Sequence, residues 1–253
     1  MLDETAGCHP EQATGGVRQA VILSEATGGS AVEGSRAASA ETACGPMAAE
    51  GRLAYRFAKR AFDIVFSLCA TIVGLVPVAL LCLSIRLESP GSPIYLQERI
   101  GHRGKPLRIL KLRTMVADSD DVERHLDPVQ LEQWRRERKV DGDPRVTKVG
   151  RFLRKTSLDE LPQFLNCLMG QLSCVGPRPP LPSEVAQYDE RAMRRLSVKP
   201  GLTGYWQVSG RSDTTFDDMV DLDLAYIEER SFLVDLRVIA KTVITMLDGK
   251  GAC

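Results

Sequence analysis

The sequence predicts an α+β fold dominated by helices, with a membrane-inserted helix followed by a domain that contains a small sheet. Three observations carry this prediction: an uncharged apolar run at 64–85, two strand-like segments after it, and helical apolar periodicity towards the C-terminus. At 253 residues the chain has room for one domain of ordinary size plus appendages. The expected divisions are a disordered tail (1–50), a basic juxtamembrane segment (51–60), a re-entrant membrane helix (61–88), a cytoplasmic domain (89–248) and a short tail (249–253).

The composition is that of a globular protein, but its charge is unevenly distributed. The chain is 43% hydrophobic and carries a formal net charge of zero. Residues 1–50 hold seven acidic and two basic side chains, a sum of −5, so the remainder must sum to +5. These residues are rich in Ala, Gly, Ser, Thr and Glu without a sustained apolar period, which predicts disorder. A modestly basic body suits phosphates or lipid headgroups and is too weak to indicate nucleic acid.

The cysteines do not suggest a disulfide framework. All seven lack paired spacing, and Cys69 and Cys82 lie inside apolar runs. We interpret them as reduced, small apolar residues of a protein that faces the cytosol. With only three histidines in the chain, a zinc site is not expected.

The apolar run is the strongest physical signal in the sequence. No charged side chain occurs from Ile64 to Ile85, a stretch of twenty-two residues. At about 1.5 Å per residue, a helix of this length could cross a bilayer. The alternative is a buried core helix, but such helices are usually shorter and are seldom apolar on every face. The run therefore favours insertion into a membrane.

The course of this helix in the membrane depends on Pro77 and on the charges that flank it. Pro77 lies past the middle of the run, where it removes a backbone hydrogen bond and disfavours helical geometry at Val76. Both flanks are basic, and positive charge marks the cytoplasmic side. A helix that enters, breaks at Pro77 and returns to the same face accounts for both observations and is favoured over a single span. The flanking basic residues are Arg52, Arg56, Lys59, Arg60, Arg86, Arg99, Arg103 and Lys105.

The remaining elements follow from local patterns. Residues 94–97 and 107–114 are predicted strands, the second with alternating apolar and basic positions. The charged segment 118–139 is predicted to be helical, and its pattern fits either a solvated face or a membrane-surface helix. Apolar positions within 161–172 and 232–246 follow the helical period.

Asp159 and Glu160 are adjacent carboxylates just before the predicted helix at 161–172. One interpretation is capping, because Ser157 and Glu160 have the spacing of a capping box. Pro162 argues against a helix start at Ser157, since its missing N–H would then be needed. A start at Asp159 instead places this carboxylate at a positive helix end, where it would stay ionised and where phosphate is attracted. Spacing alone leaves catalysis and capping equally open. Nearby basic residues are Arg151, Arg154 and Lys155.

Two further groups of basic residues could bind phosphate. Arg178 lies between Pro177 and Pro179, whose fixed backbone would present the guanidinium with little loss of entropy. The alternative for Arg178 is an incidental arginine on a surface turn. Lys111 and Arg113 alternate with leucines, so both are expected on one face of a strand.

Two other acid pairs support a rival hypothesis, a metal-dependent glycosyltransferase. Asp141 with Asp143, and Asp221 with Asp223, resemble the metal-binding carboxylates of such enzymes, but the pattern is short. The sequence shows no Gly-x-Gly-x-x-Gly or Walker loop and no βαβ half that would bind a nucleotide. A third hypothesis is a non-catalytic membrane scaffold, which would have no need for the carboxylate pair Asp159 and Glu160.

Taken together, the segments resemble the bacterial sugar transferase family, the monotopic polyprenyl-phosphate hexose-1-phosphate transferases. The resemblance runs from about Lys59 to the C-terminus. Within the family, the chain is similar to the short subgroup of exopolysaccharide-initiating enzymes that transfer galactose- or glucose-1-phosphate. The motifs that carry the resemblance are Lys59-Arg60-Ala61-Phe62-Asp63, Arg99-Ile100-Gly101, Lys111-Leu112-Arg113-Thr114-Met115, Asp143-Pro144-Arg145-Val146-Thr147, Ser157-Leu158-Asp159-Glu160-Leu161-Pro162-Gln163, Val175-Gly176-Pro177-Arg178-Pro179 and Lys199-Pro200-Gly201-Leu202-Thr203-Gly204-Tyr205-Trp206.

The resemblance implies a ping-pong mechanism. Asp159 would attack the sugar-bearing phosphate of a UDP-sugar and expel UMP, and the lipid phosphate would then attack the phospho-sugar ester. Glu160 would hold Mg²⁺. The cations would bind phosphate and Asp223 would handle metal or a proton, while a helix broken at Pro77 is a further family trait. The cations so assigned are Lys111, Arg113, Arg154 and Arg178.

The resemblance also implies partners and a location. The expected partners are a UDP-sugar, undecaprenyl phosphate and the bilayer, with no nucleic acid. A homodimer and contacts with downstream glycosyltransferases are left open. The expected location is the bacterial inner membrane, with the catalytic domain facing the cytoplasm. The sequence identifies neither the sugar nor the polysaccharide.

Overall fold

The computed structural model describes residues 49–137, 140, 142–209 and 215–247. The tails predicted at 1–50 and 249–253 therefore lie outside the described residues, apart from Ala49 and Glu50. The helices are α1 (Ala49–Glu88), α2 (Val122–His125), α3 (Pro128–Glu137), α4 (Lys148–Thr156), α5 (Gln163–Leu168), α6 (Pro182–Val185), α7 (Glu190–Met193), α8 (Tyr205–Val208), α9 (Phe216–Glu229) and α10 (Phe232–Leu247). The strands are β1 (Ile94–Ile100), β2 (Pro106–Leu112), β3 (Ser173–Val175) and β4 (Gly201–Thr203). Short 3₁₀ turns lie at His102–Gly104, Leu158–Glu160 and Arg194–Ser197. Helices thus dominate, as expected from the sequence.

The apolar run forms the second half of α1, a helix of forty residues. Over Leu53–Glu88 this helix is long and apolar enough to cross a membrane, and almost none of its most apolar stretch is buried by the rest of the protein. This exposure argues against a buried core helix. Pro77 lies inside α1 and does not end it, so any change of direction at the proline takes place within one helix. The predicted re-entrant course remains a prediction.

The N-terminal part of α1 binds the domain through the charged residues that precede the apolar run. Lys59 Nζ lies 2.8 Å from Asp235 Oδ2 on α10. Arg60 donates through both terminal nitrogens to the carbonyls of residues 167–168, at the end of α5, at 2.8 and 2.9 Å. Unsatisfied carbonyls at a helix end attract cations. The basic residues before the run therefore dock the helix on the domain.

Asp63 continues this docking one turn further along α1. Its carboxylate is buried and accepts hydrogen bonds from Ser173 Oγ at 2.8 Å and from the Cys174 amide at 2.9 Å. These donors lie at the start of β3, whose edge would otherwise leave a buried N–H unpaired. The acid of the Lys-Arg-Ala-Phe-Asp motif thus joins α1 to β3.

The far end of α1 is bound by different elements. Ile85 is buried with Leu112 and Leu153. Glu88 accepts from the amides of Lys148 and Val149, at 2.7 and 2.9 Å, and so caps the start of α4. Both ends of α1 therefore contact the same domain.

The sheet structure consists of two separate pairs of strands. β1 and β2 are antiparallel, with Ile94 opposite Leu112, which confirms the two strands predicted after the membrane helix. β3 and β4 are parallel and pack closely. A Cβ atom built on Gly201 would lie 2.1 Å from the Gly176 nitrogen, so the approach of these backbones requires glycine at 201.

The main core lies between β3, α9 and α10. It is formed by small and medium apolar residues together with one buried tyrosine, Tyr226, whose hydroxyl lies 2.8 Å from Asp235 Oδ1. The buried residues are Cys174, Val175, Ala192, Val220, Leu224, Tyr226, Ile227 and Val238. The predicted C-terminal helix is confirmed as α10, which presents Val238 to this core.

Two helices differ from the prediction. The segment 118–139 contains two short helices, α2 and α3, because Pro128 starts a new helix and cannot continue the one before it. The helix expected at 161–172 spans only Gln163–Leu168, and Gly170 follows with a φ of 79°, a conformation that ends helices.

Candidate active site

A cleft of about 760 Å³ opens between the β1–β2 hairpin, the 3₁₀ turn at 158–160 and the loop that follows β3. The cleft brings together most of the residues that the sequence singled out. Its charged lining is predominantly basic, which is the arrangement expected for an anionic ligand. The basic lining residues are Arg99, Lys111, Arg113, Arg145, Arg154 and Arg178, and the acidic ones are Asp120, Asp159 and Glu160.

Asp159 reaches the cleft from a turn between two helices. Ser157 ends α4 in the left-handed conformation, at φ 55°, and the chain then forms the 3₁₀ turn that holds Asp159 and Glu160. The expectation that Asp159 starts a helix is wrong, because α5 begins four residues later, at Gln163. The capping interpretation fails as well, since Ser157 makes no side-chain cap there.

The electrostatic surroundings of Asp159 also differ from the expectation. Burial raises the pKa of its carboxyl group, while Lys111 and Arg154 oppose the shift and Glu160 adds to it. The prediction of an ionised carboxylate rests on nearby bases alone, and burial acts against these bases without deciding the ionisation state. Of the three bases named for this role, Arg154 lines the cleft, whereas Arg151 and Lys155 are exposed.

Lys111 and Arg154 flank the two carboxylates. Lys111 Nζ lies 2.9 Å from Glu160 Oε1, and the Glu160 side chain is 44% exposed to the cleft. Arg154 donates from Nε to Thr114 Oγ1 at 3.0 Å and lines the cleft. Thr114 lies against Gly150, where a Cβ would meet the Thr114 carbonyl, so α4 packs directly on the end of β2. The hairpin and α4 together fix these cations.

Arg178 lies at the other side of the cleft. Its Nη1 is 3.4 Å from Glu184 Oε1, and its guanidinium lies over the Trp206 ring, 5.6 Å from the centroid. A planar guanidinium held over an aromatic face is well oriented for a bidentate contact with a phosphate. The predicted phosphate-binding role of Arg178 therefore has a suitable location, and Trp206 is a neighbour that sequence reasoning missed.

Arg99 is a further site residue that sequence reasoning did not single out. It lines the cleft beside Arg178, and burial together with the Arg178 charge lowers its pKa to about 10. Two neighbouring guanidinium groups form a strong anion site. The Arg99-Ile100-Gly101 motif, one of those that carry the family resemblance, is the sequence feature that points to Arg99.

Two predicted site residues have structural contacts instead. Both terminal nitrogens of Arg113 donate to backbone carbonyls, those of Pro90 at 2.7 Å and Ser89 at 2.6 Å, just after α1. Asp223 is completely buried on α9, where its Oδ2 lies 2.7 Å from Arg195, and it does not line the cleft. Burial raises the pKa of Asp223 to about 6 against the opposing charge of Arg195. The structure thus separates Asp223 from the carboxylates of the cleft.

The acid pairs of the rival hypothesis are likewise engaged by arginines. Asp143 is buried against Arg145, with an oxygen 2.7 Å from Nη2, and Asp221 pairs with Arg191 on α7. Asp141 lies outside the described residues. Within the described part of the chain, no three His, Cys, Asp or Glu side chains group as a metal site would require.

The donor set of the cleft nevertheless fits the way in which Mg²⁺ is usually held beside phosphates. Magnesium takes oxygen ligands and is commonly bound through one or two carboxylates together with phosphates of the substrate. Glu160, exposed to the cleft beside Asp159, offers such an oxygen. Asp223 does not, because it lies outside the lining and is paired with Arg195.

Comparison with known proteins gives a consistent result. Residues 54–249 match the family model described as bacterial sugar transferase. The chain is 41% identical to the exopolysaccharide production protein ExoY of Sinorhizobium fredii over 198 residues, which cover 77% of this chain and 87% of the relative. It is 43% identical over 209 residues to the UDP-glucose:undecaprenyl-phosphate glucose-1-phosphate transferase of Escherichia coli, covering 78% of this chain and 42% of that longer protein. Against the UDP-galactose-lipid carrier transferase of Erwinia amylovora it is 40% identical over 200 residues, which cover 78% of this chain and 42% of that protein.

Proposed function

This chain belongs to the bacterial sugar transferase family, and from that membership we propose that it transfers a hexose-1-phosphate from a UDP-sugar to undecaprenyl phosphate and releases UMP. The enzyme is of the phosphoglycosyl transferase class, and the short relative ExoY is named for exopolysaccharide production. Galactose and glucose are the favoured sugars, because relatives are named for transferring them. The observation that carries the proposal is the carboxylate pair Asp159 and Glu160 in a cleft lined by cations.

In the proposed first step, a carboxylate oxygen of Asp159 attacks the phosphorus that bears the sugar. A new bond forms between this oxygen and phosphorus, the bond from phosphorus to the UMP oxygen breaks, and UMP leaves with the electron pair. In the second step, an oxygen of the lipid phosphate attacks the same phosphorus and displaces the carboxylate. The product is a lipid diphosphate sugar, and Asp159 is regenerated as a carboxylate.

The residues around Asp159 have distinct tasks in this scheme. Lys111 and Arg154 stabilise negative charge that develops on the transferred phosphate, which preorganised cations do without reorganisation. A Mg²⁺ ion held by Glu160 would supply further charge neutralisation on the diphosphate. Because the pKa of the Asp159 carboxyl group is raised, its ionised, nucleophilic form is lost at a higher pH than that of an ordinary aspartate. The transfer rate should therefore fall as the pH is lowered through the pKa of Asp159.

The location that we propose is the inner membrane, with the domain on the cytoplasmic side and α1 re-entrant. The support is that both ends of α1 contact one domain: Asp63 binds β3, and Glu88 caps α4. Between these contacts the helix exposes large apolar side chains, for example Val73 and Val76, which are 77% and 65% exposed. A straight helix from Asp63 to Glu88 would be about 38 Å long, and a bend at Pro77 brings its ends nearer each other.

Cysteine accessibility tests this topology. Single cysteines placed near residue 50 and near residue 120, in a background without the native cysteines, should react only with reagents that reach the cytoplasm. The reason is that a re-entrant helix keeps both positions on the same side of the membrane as the domain. Permeabilised cells serve as the control that both cysteines can react. Labelling of the first cysteine from the periplasm would establish a single span instead.

The nucleotide product tests the proposed reaction. Purified protein reconstituted in lipid is incubated with undecaprenyl phosphate and one UDP-sugar at a time: UDP-glucose, UDP-galactose or UDP-N-acetylglucosamine. The nucleotide and the lipid products of each reaction are then analysed. We expect UMP together with a lipid diphosphate sugar, most strongly with glucose or galactose. Release of UDP with a lipid monophosphate sugar would instead support the rival glycosyltransferase, since that enzyme breaks the bond between sugar and phosphate.

A further inference from the structure

The loop that carries Arg178 is held almost entirely through its backbone carbonyls. Proline has no N–H, so the prolines at 177, 179 and 180 cannot donate to a neighbouring strand. Instead, four consecutive carbonyls each accept a hydrogen bond from another part of the chain. The bonds run from Gly201 N to Pro177 at 2.9 Å, from Arg195 Nη2 to Arg178 at 3.5 Å, from Arg99 Nη1 to Pro179 at 3.2 Å and from Ile100 N to Pro180 at 2.9 Å.

Arg195 is the buried member of this set. It is 2% exposed and contacts three segments of the chain at once. Nη1 donates to the Tyr188 hydroxyl at 2.6 Å, Nε and Nη2 bind Asp223 Oδ2 at 2.9 and 2.7 Å, and Nη2 reaches the Arg178 carbonyl. The side chain thus ties α9 to the backbone of Arg178 itself.

A buried ion pair of this kind is not explained by stability alone. Desolvation of two charges often offsets their attraction, and well-packed apolar residues of similar volume are commonly as stable. What the guanidinium adds is geometry, because its planar fork binds the Asp223 carboxylate, the Tyr188 hydroxyl and the Arg178 carbonyl from fixed directions. Apolar side chains could fill the same space, but they could donate to none of these oxygens.

From this geometry we infer that Arg195, neutralised by Asp223, is a positioning residue that fixes Arg178 for binding the phosphates of the donor. The inference rests on the proposed function for its substrate. It also gives Asp223 a task, since removal of this acid would leave a buried guanidinium without a counterion. Neither residue touches the substrate in this scheme; both act through Arg178.

Replacing the pair by apolar residues tests the inference. Arg195→Met with Asp223→Leu removes both buried charges together and should leave the melting temperature close to that of the wild type. The KM for the UDP-sugar should rise about tenfold, with a smaller change in kcat, because Arg178 is present but less well placed. The matched control is Arg191→Gln with Asp221→Asn, an exposed pair that also joins α7 to α9 and that should stay within about twofold of the wild type.

Coupling to Arg178 separates a positioning role from a merely structural one. In an Arg178→Lys background, the same double substitution should add about twofold or less, because sites that act through one another are not additive. Losses that multiply, or wild-type kinetics for the double variant, would overturn the inference. If the double variant does not fold, Tyr188→Phe takes its place, with a smaller rise in KM that again disappears in the Arg178→Lys background.

A second readout keeps this inference separate from the proposed reaction. Amide hydrogen exchange in a peptide covering residues 173–185 should be faster in the double variant than in the wild type and unchanged in the exposed-pair control. This measurement needs no substrate. Absence of UMP release from the wild type would count against the proposed function, whereas unchanged exchange in this peptide would count against the positioning role.

Discussion

Asp159→Asn should abolish transfer and covalent labelling, the largest effect that we expect from a single substitution. An amide is a poor nucleophile, so the phospho-sugar ester cannot form, and activity should fall by at least about a thousandfold. The measurement is retention of label on the protein after incubation with a UDP-sugar labelled in the sugar-bearing phosphate. The substitution keeps the volume of the side chain, and the removal of a partly buried charge should leave folding intact.

Two controls sharpen this test. Asp221→Asn removes an exposed carboxylate that does not line the cleft and should label like the wild type. Glu160→Gln should still form the labelled ester, but slowly, because it keeps the nucleophile. A stable phospho-sugar adduct on the Asp159→Asn variant would show that another residue is the nucleophile.

Arg178→Lys should weaken catalysis while preserving the fold and membrane association. Lysine keeps the charge but loses both the two parallel hydrogen bonds to a phosphate and the flat contact with Trp206. Loss of one charge-assisted contact costs roughly 1.5–3 kcal/mol, or about ten- to a hundredfold in kcat/KM. Steady-state kinetics with a UDP-sugar measure the loss of catalytic efficiency, and thermal melting in detergent tests whether the fold is preserved.

The outcomes for Arg178 are distinct. Wild-type kinetics would remove Arg178 from the site, and a drop in melting temperature that parallels the loss of activity would show a structural role. Arg194→Lys is a suitable control, because Arg194 also forms one ion pair, with Glu228, but lies on an exposed surface. It should change neither kinetics nor melting.

Local patterns in the sequence were enough to predict the fold class and several elements. The long apolar helix follows from the uncharged run at 64–85, and the second strand follows from its alternating apolar and basic positions, whereas the antiparallel pairing of β1 with β2 is seen only in the structure. Lys111, Arg154 and Arg178 were correctly expected to belong together, although the resemblance rather than their spacing joined them. The cleft they share depends on contacts between segments 40 to 80 residues apart.

The errors concern residues whose partners are distant in sequence. Asp223 reads as one of a pair of acids, and only the folded chain shows that Arg195 neutralises it. Arg113 lines the cleft as expected of a row of cations, but only the folded chain shows that its two terminal nitrogens donate to the backbone after α1. For Asp159, the sequence shows the neighbouring charges but not the desolvation that raises the pKa of its carboxyl group.

The double attachment of α1 has a consequence for how the protein is made. Helix α1 leaves the ribosome before its partners, which are spread along the later chain from Val149 to Asp235. The domain can therefore complete its contacts with α1 only after α10 has been synthesised. A fragment that starts after Glu88 would lack these contacts and would expose the buried surfaces that α1 covers. Cleavage between α1 and the domain should therefore not release a stable, active domain.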